Sequence, residues 1–378
     1  MWEFFAIPFH VGPFQQPSWL FHTGQCGLGW QSFPASKLIL SLRAASTLIV
    51  AHIIAIEVWT LLMNGRNTLV LLGLVALGQE AMATAQVTNE QRLQVGSVEL
   101  SLGVGLLNGK AEEKVYDDGA KLSQLNWDIK QVPTLHLGLT YHALDWLSLD
   151  VRGWTRMSGG NSHMKDYDWF DDDADWSHYS DHPDTRLRNA WQAELAATIW
   201  AFKRDDLALG VMAGYQRSQF DWQSRGGSYI YSSEYGYRDR TGEFPAGAKA
   251  ISYQQTYDTP FLGLVGIYTF QNLTLEGRFK HSQWVRARDF DTHHMRDLTF
   301  AGNHGNTGRM QSMALGLTYN FNPQFSVKAG IDHQVYAEAK GSSLIDDSSN
   351  GWRGRSGKNS TSQASRTTVS TLAVAYRF

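Results

Sequence analysis

From residue 93 onward, side chains alternate in character with a period of two. In 325–337 the odd positions read Phe, Val, Ala, Ile, His, Val, Ala, and the even ones Ser, Lys, Gly, Asp, Gln, Tyr. Leu273, Leu275, Gly277 and Phe279 alternate with Thr274, Glu276, Arg278 and Lys280; Leu147, Leu149 and Val151 alternate with Ser148, Asp150 and Arg152. Neighbouring side chains of a strand point to opposite faces, so each segment carries one apolar face and one that is often charged. A soluble sandwich also buries one face, but seldom leaves so many charges on such long strands. Strands set between lipid and a polar lumen require this pattern.

The alternation predicts ten strands: 93–117, 122–142, 146–161, 186–203, 206–226, 248–270, 273–291, 305–321, 325–340 and 361–378. Tight turns are expected at 143–145, 204–205, 271–272 and 322–324, and long polar or glycine-rich loops at 162–185, 227–247, 292–304 and 341–360. Short turns on one side and long loops on the other are the layout of an outer-membrane barrel, with the short turns in the periplasm. An even strand number returns both ends to that side. The last strand carries Leu372, Val374, Tyr376 and Phe378 on one face, suited to lipid. A tilted strand crosses the hydrocarbon with about 9–11 residues, and several segments run to about twice that. The expectation is an all-β, ten-stranded antiparallel transmembrane β-barrel extending above the outer membrane.

Composition agrees. Aromatic residues make up 12% of the chain, with 35 glycines against 9 prolines, which favours strands and tight turns over helices. A near balance of 33 basic and 36 acidic residues excludes a strongly basic nucleic-acid binder. The one cysteine, Cys26, excludes an internal disulfide and zinc sites built on cysteine pairs.

Residues 63–85, MNGRNTLVLLGLVALGQEAMATA, have the order of a secretory signal. Arg66 supplies the positive start, 69–77 the apolar stretch and Ala83-Thr84-Ala85 a small-residue cleavage site. Residues 1–62 are then expected to be an untranslated or non-native extension upstream of the true start at Met63, an unusual N-terminal anchor being the other reading, and 86–378 the barrel domain.

Acid is concentrated in one place. Residues 165–176 read KDYDWFDDDADW, six aspartates between Asp166 and Asp175 in a chain of net charge −3. A calcium loop would need a turn glycine that DYDWFDDD lacks. Asp166 and Asp168 are two apart and share a face of an extended chain; Asp291 and His293 in RDFDTHHMRD repeat that spacing. A carboxylate beside a histidine stabilises the imidazolium and helps the ring take a proton from water, and two close carboxylates hold a proton or a polarised water between them. On spacing alone, solvated loop charge is the simpler account of these acids, and a non-proteolytic adhesin or structural porin stays open. Such a barrel has no need of Asp166, Asp168, Asp291 and His293 together at one rim.

Longer stretches bear on that choice. GGN at 159–161, DYDW at 166–169, HPDT at 182–185, GVMAGYQ at 210–216, RGGSYIYSSE at 225–234 and the segment from Trp284-Val285 to Asp289-Phe290-Asp291-Thr292-His293 occur in this order. In them the chain resembles the omptin family of outer-membrane endopeptidases. The resemblance implies an aspartic-type protease with its active site facing the cell exterior, a monomer without a metal or other cofactor, acting on basic peptides or proteins. Asp166 with Asp168, and Asp291 with His293, are the implied catalytic couples. Glu113 in GKAEEKVY and Asp289 are implied to bind the basic residue before the cleaved bond, arginine being favoured because its planar fork takes paired hydrogen bonds. His178 stands where the family has an aspartate facing the residue after that bond. The family also implies outer-membrane lipid as a partner and lipopolysaccharide as an activator, gripped by a tyrosine, an acid and two arginines. Tyr215 fills the first position, Arg217 stands at the acid's, and Gln219 and Thr256 stand at the arginines', so an altered lipid grip is expected.

Overall fold

The computed structural model describes residues 93–378 apart from 159 and 171–174; the expectations for 1–62 and 63–85, and the acids 171–173, lie outside the described residues. The described chain pairs into one antiparallel sheet of fifteen strands. They are β1 (Val98–Asp117), β2 (Ala120–Leu144), β3 (Leu147–Arg156), β4 (Asn161–Asp168), β5 (His178–Lys203), β6 (Leu207–Arg225), β7 (Ser228–Ser233) and β8 (Gly236–Glu243). There follow β9 (Lys249–Phe270), β10 (Leu273–His293), β11 (Leu298–Asn303), β12 (Gly308–Asn320), β13 (Phe325–Asp347), β14 (Trp352–Arg355) and β15 (Thr361–Arg377).

The sheet closes into a ring. β3 and β4 both lie between β2 and β5, and β12 and β11 both lie between β10 and β13, so each pair fills one position. β1 joins β15 to complete ten positions. Closure satisfies the backbone groups that hydrocarbon cannot, which is why a sheet spans lipid only as a barrel. No edge strand is left within the ring.

Burial is inverted relative to a soluble domain. Leu264, Leu315 and Met313 are 59%, 59% and 66% exposed, while Lys280 and Glu194 are buried in the lumen and bonded, Nζ to Oε2, at 2.6 Å. An exterior that is apolar around a charged interior is stable only where lipid replaces water outside. Trp146, Tyr268, Phe270, Phe321 and Phe378 are exposed beside the short turns, where amphipathic rings suit the membrane interface. About half of a strand such as β10, 21 residues long, exceeds what the membrane needs and stands above it.

The expected long loops are corrected here. β4 and the start of β5 occupy most of 162–185, β7 and β8 form a hairpin in 227–247, β11 lies in 292–304, and 341–360 holds β14 and the end of β13. The expected fourth strand begins at His178 rather than 186. Above the membrane both faces of a strand meet polar surroundings, so the sequence alternation fades although the hydrogen-bond ladder continues. One outer connection is short: Asp118 and Gly119, with φ of 45° and 89°, make a two-residue turn between β1 and β2.

Near the top, the lumen is filled by an aromatic floor. Trp127 stacks on Tyr253 at 5.3 Å, Trp222 on Tyr253 at 6.1 Å, and Phe220 on Trp222 at 5.9 Å. Leu107, Leu125, Met164 and Leu187 complete this buried cluster. It forms a firm base for the residues on the rim.

Candidate active site

The extension of β4 beside β2 and β5 carries Asp166 and Asp168. Register places Leu125 and Ser180 opposite Asp166, and Ser123 and His178 opposite Asp168. Ser123 Oγ donates to Asp166 Oδ1 at 3.3 Å. Burial first, and then the neighbouring Asp168, push the Asp166 carboxyl up to about 8. Burial also raises Asp168, against the opposing pull of Ser123, Arg296, His178 and His293. Each carboxylate opposes ionisation of the other, which favours a proton kept between the two.

Asp291 and His293 end β10. Their ring–carboxylate bond, His293 Nε2 donating to Asp291 Oδ2, is 2.7 Å long. Asp291 is buried, and its Oδ1 has no partner among the described residues. Phe300 of β11 packs edge-on against the His293 ring at 5.5 Å. Burial opposes charge on His293, but Asp291 outweighs it and raises the ring above its ordinary value. Asp166 is within electrostatic reach of both Asp291 and His293, so the two couples, on opposite walls of the mouth, share one field.

Glu113 of β1 lies opposite Leu125, which in turn lies opposite Asp166. It is buried, and its Oε2 has no partner among the described residues. Burial, then Asp291, Asp289 and Asp166, raise its carboxyl well above the usual range. Asp289, two residues before Asp291, receives Nε2–H of His304 at 3.0 Å and the Tyr253 hydroxyl at 3.3 Å, both on Oδ2. The mouth therefore gathers Glu113, Asp166, Asp168, Asp289 and Asp291, an excess of acid that invites a cationic ligand.

The family that folds this way is found by comparison. The model of the omptin family matches residues 94–378. The chain belongs to the omptin family. It is 34% identical over 285 residues to the plasminogen activator of Yersinia pestis, covering 75% of this chain and 90% of that one. It is 35% identical over 259 residues to the outer membrane protease OmpP of Escherichia coli strain K12, covering 67% and 82%. The crystal structure of the outer membrane protease OmpT from Escherichia coli superposes with a TM-score of 0.72 and 30% identity, covering 79% of this chain and all but 1% of that one. This omptin is thus an outer-membrane β-barrel protease acting on peptides or proteins, with its site exposed outside.

His178 of the omptin lies across from Asp168, packed edge-on against Phe170 at 4.9 Å and tilted on Tyr231 at 4.8 Å. Asp181 is on the opposite face of β5, engaged by His163 Nε2 at 2.6 Å and the Tyr179 hydroxyl at 3.1 Å. It does not bring acid to His178.

On the outer wall, Tyr215 donates to Asp258 Oδ1 at 2.7 Å, Arg288 Nη2 donates to Asp258 Oδ2 at 2.6 Å, and Arg217 Nε lies 3.6 Å from Oδ1. Gln219, Thr256 and Arg288 are in register across β6, β9 and β10. Arg288 thus brings a guanidinium beside the position where Thr256 lacks one. A tyrosine, an acid and two arginines do meet here; Tyr215 stands at its implied position, and the acid and both arginines come from others. Asp258, Tyr253, Ser123 and His304 carry no motif, and Arg288 stands in one without a role assigned to it; cross-strand pairing brings each to its place. Among the described residues no group of three or more His, Cys, Asp or Glu is arranged to hold a metal ion.

Proposed function

We propose that this protease is of the aspartic type and cleaves the bond after arginine, with Asp166–Asp168 and Asp291–His293 holding one water between them. The observation that carries this reading is the pair of couples on facing walls, one of two close aspartates whose carboxyls burial raises and the other a histidine bonded to a buried carboxylate. His293 Nε2 is committed to Asp291, which leaves Nδ1 to take a proton from the water. The water oxygen then attacks the carbonyl carbon. Asp166, protonated at neutral pH, donates to the developing oxyanion, and Asp168 holds its carboxyl in place. As the C–N bond breaks, His293 passes its proton to the leaving amine.

Glu113 and Asp289 supply the carboxylates for the arginine side chain. Before arginine enters, burial and three acids oppose charge on Glu113 and favour its protonated form. An entering guanidinium reverses that field and draws the proton off, so binding arginine releases a proton. His178 faces the residue after the cleaved bond. Tyr215, Arg217, Asp258 and Arg288 form the seat for a lipid phosphate, with lipopolysaccharide as activator. The ring leaves no unpaired strand edge, which supports action as a monomer.

The test is a quenched peptide containing Arg-Arg or Arg-Lys, given to cells displaying the barrel. Cleavage after arginine is expected, and His293→Ala and Asp291→Ala should each lower the rate by about 10²–10⁴. Both should keep the heat-modifiable mobility of a folded barrel. Near-full activity in the His293 variant would remove this mechanism.

A further inference from the structure

His304 follows β11 and stays paired to β10: its N–H donates to Ala287 O at 3.0 Å, and Ala287 N–H donates to Gly305 O at 3.3 Å. Its side chain is wholly buried. The ring makes its hydrogen bond through Nε2 to Asp289 Oδ2, and Nδ1 has no partner among the described residues. A buried histidine with one polar tether has that tether as its visible purpose, since an unpaired ring nitrogen is otherwise a cost.

The surroundings are cleared for this pair. A Cβ at Gly302, opposite Asp289, would lie 1.8 Å from Asp289 Oδ1 and 2.9 Å from His304 Nε2. A Cβ at Gly341 would lie 2.1 Å from Asn303 O and 2.5 Å from His304 Cα. Neither position accepts a side chain without moving the carboxylate or the backbone that carries His304. On the other side, the Tyr253 hydroxyl reaches the same Oδ2, and its ring is fixed on Trp127.

We propose that His304 is a positioning residue that sets the preference for arginine over lysine, a step that rests on the pocket reading of Glu113 and Asp289 given above. With Oδ2 taken by His304 and Tyr253 and Oδ1 lying over Gly302, the Asp289 carboxylate is held in one orientation, and Oδ1 is the acceptor left for a ligand. The second acceptor is Glu113 Oε2, buried and without a partner among the described residues. A guanidinium presents several N–H groups in a fixed plane and gains from two acceptors at a fixed spread. An ammonium needs only point contacts and gains little from their alignment. Releasing Oδ2 lets the carboxylate swing and removes that alignment, while the pocket keeps both acids.

The experiment uses the refolded barrel and peptides that differ only in arginine, lysine or citrulline before the cleaved bond. His304→Leu and the smaller, polar His304→Asn both break the contact with Asp289. In each, the ratio of kcat/KM for arginine over lysine should fall by about tenfold, through a higher KM for the arginine peptide with kcat little changed. His304→Gln, which keeps a terminal N–H donor, should hold the ratio near that of the native chain. Citrulline, the uncharged counterpart of arginine, should stay poor throughout. An unchanged ratio in whichever of the Leu and Asn variants folds, or an equal loss of kcat for both basic peptides, overturns the proposal. A native chain that cleaves after neither basic residue overturns the pocket reading as well, and so the two failures are told apart.

Discussion

Asp291 is buried at the end of β10 and holds the ring of His293 at 2.7 Å, two residues further along the same strand. Both side chains point to one face because a strand repeats every second residue. The carboxylate raises the ring, whereas the facing Asp166 is pushed up to about 8 by burial and by Asp168. The proposed base must be neutral and the proposed acid protonated. The kcat/KM for an arginine peptide should therefore rise as His293 loses its proton and fall as Asp166 loses its own near pH 8. In Asp166→Asn, which keeps a donor but cannot ionise, the alkaline limb should disappear while residual activity persists. A native profile that keeps rising well past pH 8 would contradict this assignment.

The same raised carboxyl affects stability. Folded Asp166 binds its proton more tightly than the unfolded chain, whose value is the ordinary 3.8. Its contribution is full below that ordinary value and is lost as pH rises toward about 8. Asp166→Asn should thus raise the melting temperature relative to the native barrel at mildly alkaline pH, with little gain near pH 4. Thermal melts followed by circular dichroism at the two pH values measure the difference. Equal shifts at both would show that the carboxyl is not held protonated by the fold.

His178 lies across the ladder from Asp168, and Asp181 faces the other way; on the proposed reading a histidine, not an aspartate, meets the residue after the cleaved bond. A neutral imidazole offers a basic side chain no charge pairing, and a protonated one repels it. Peptides fixed at arginine and varied at the next position should favour small or apolar residues there, more so in mild acid. His178→Asp should shift the preference toward lysine by about tenfold, the scale of one added charge pair in a specificity pocket. Strong lysine preference in the native protein at every pH would exclude His178 from that pocket.

Tyr215, Asp258, Arg217 and Arg288 assemble on the outer wall from β6, β9 and β10. The sequence predicted an altered lipid grip because Gln219 and Thr256 replace arginines. Arg288 supplies one guanidinium that the aligned positions lack. Refolded protein in detergent should gain activity on adding lipopolysaccharide, and Arg288→Ala or Arg217→Ala should raise the lipid concentration for half-maximal activation several-fold. An unchanged titration in both variants would move the lipid site elsewhere.

The chain by itself determined the membrane barrel, because the alternation of Leu273, Leu275 and Phe279 with Glu276, Arg278 and Lys280 has a stable solution only with lipid on one face and a polar lumen on the other. Spacing within a strand also showed that Asp166 and Asp168, and Asp291 and His293, share a face, while their proposed roles came from the family resemblance. The tertiary structure alone decided the rest. β4, β7, β8 and β11 were hidden because no lipid face imposes an alternation above the membrane. The contacts of Asp289 with His304, of Asp258 with Tyr215 and Arg288, and of Asp168 with His178 join different strands. Those meetings depend on ladder register and ring closure, and a shift of one residue in register would turn each side chain to the opposite face.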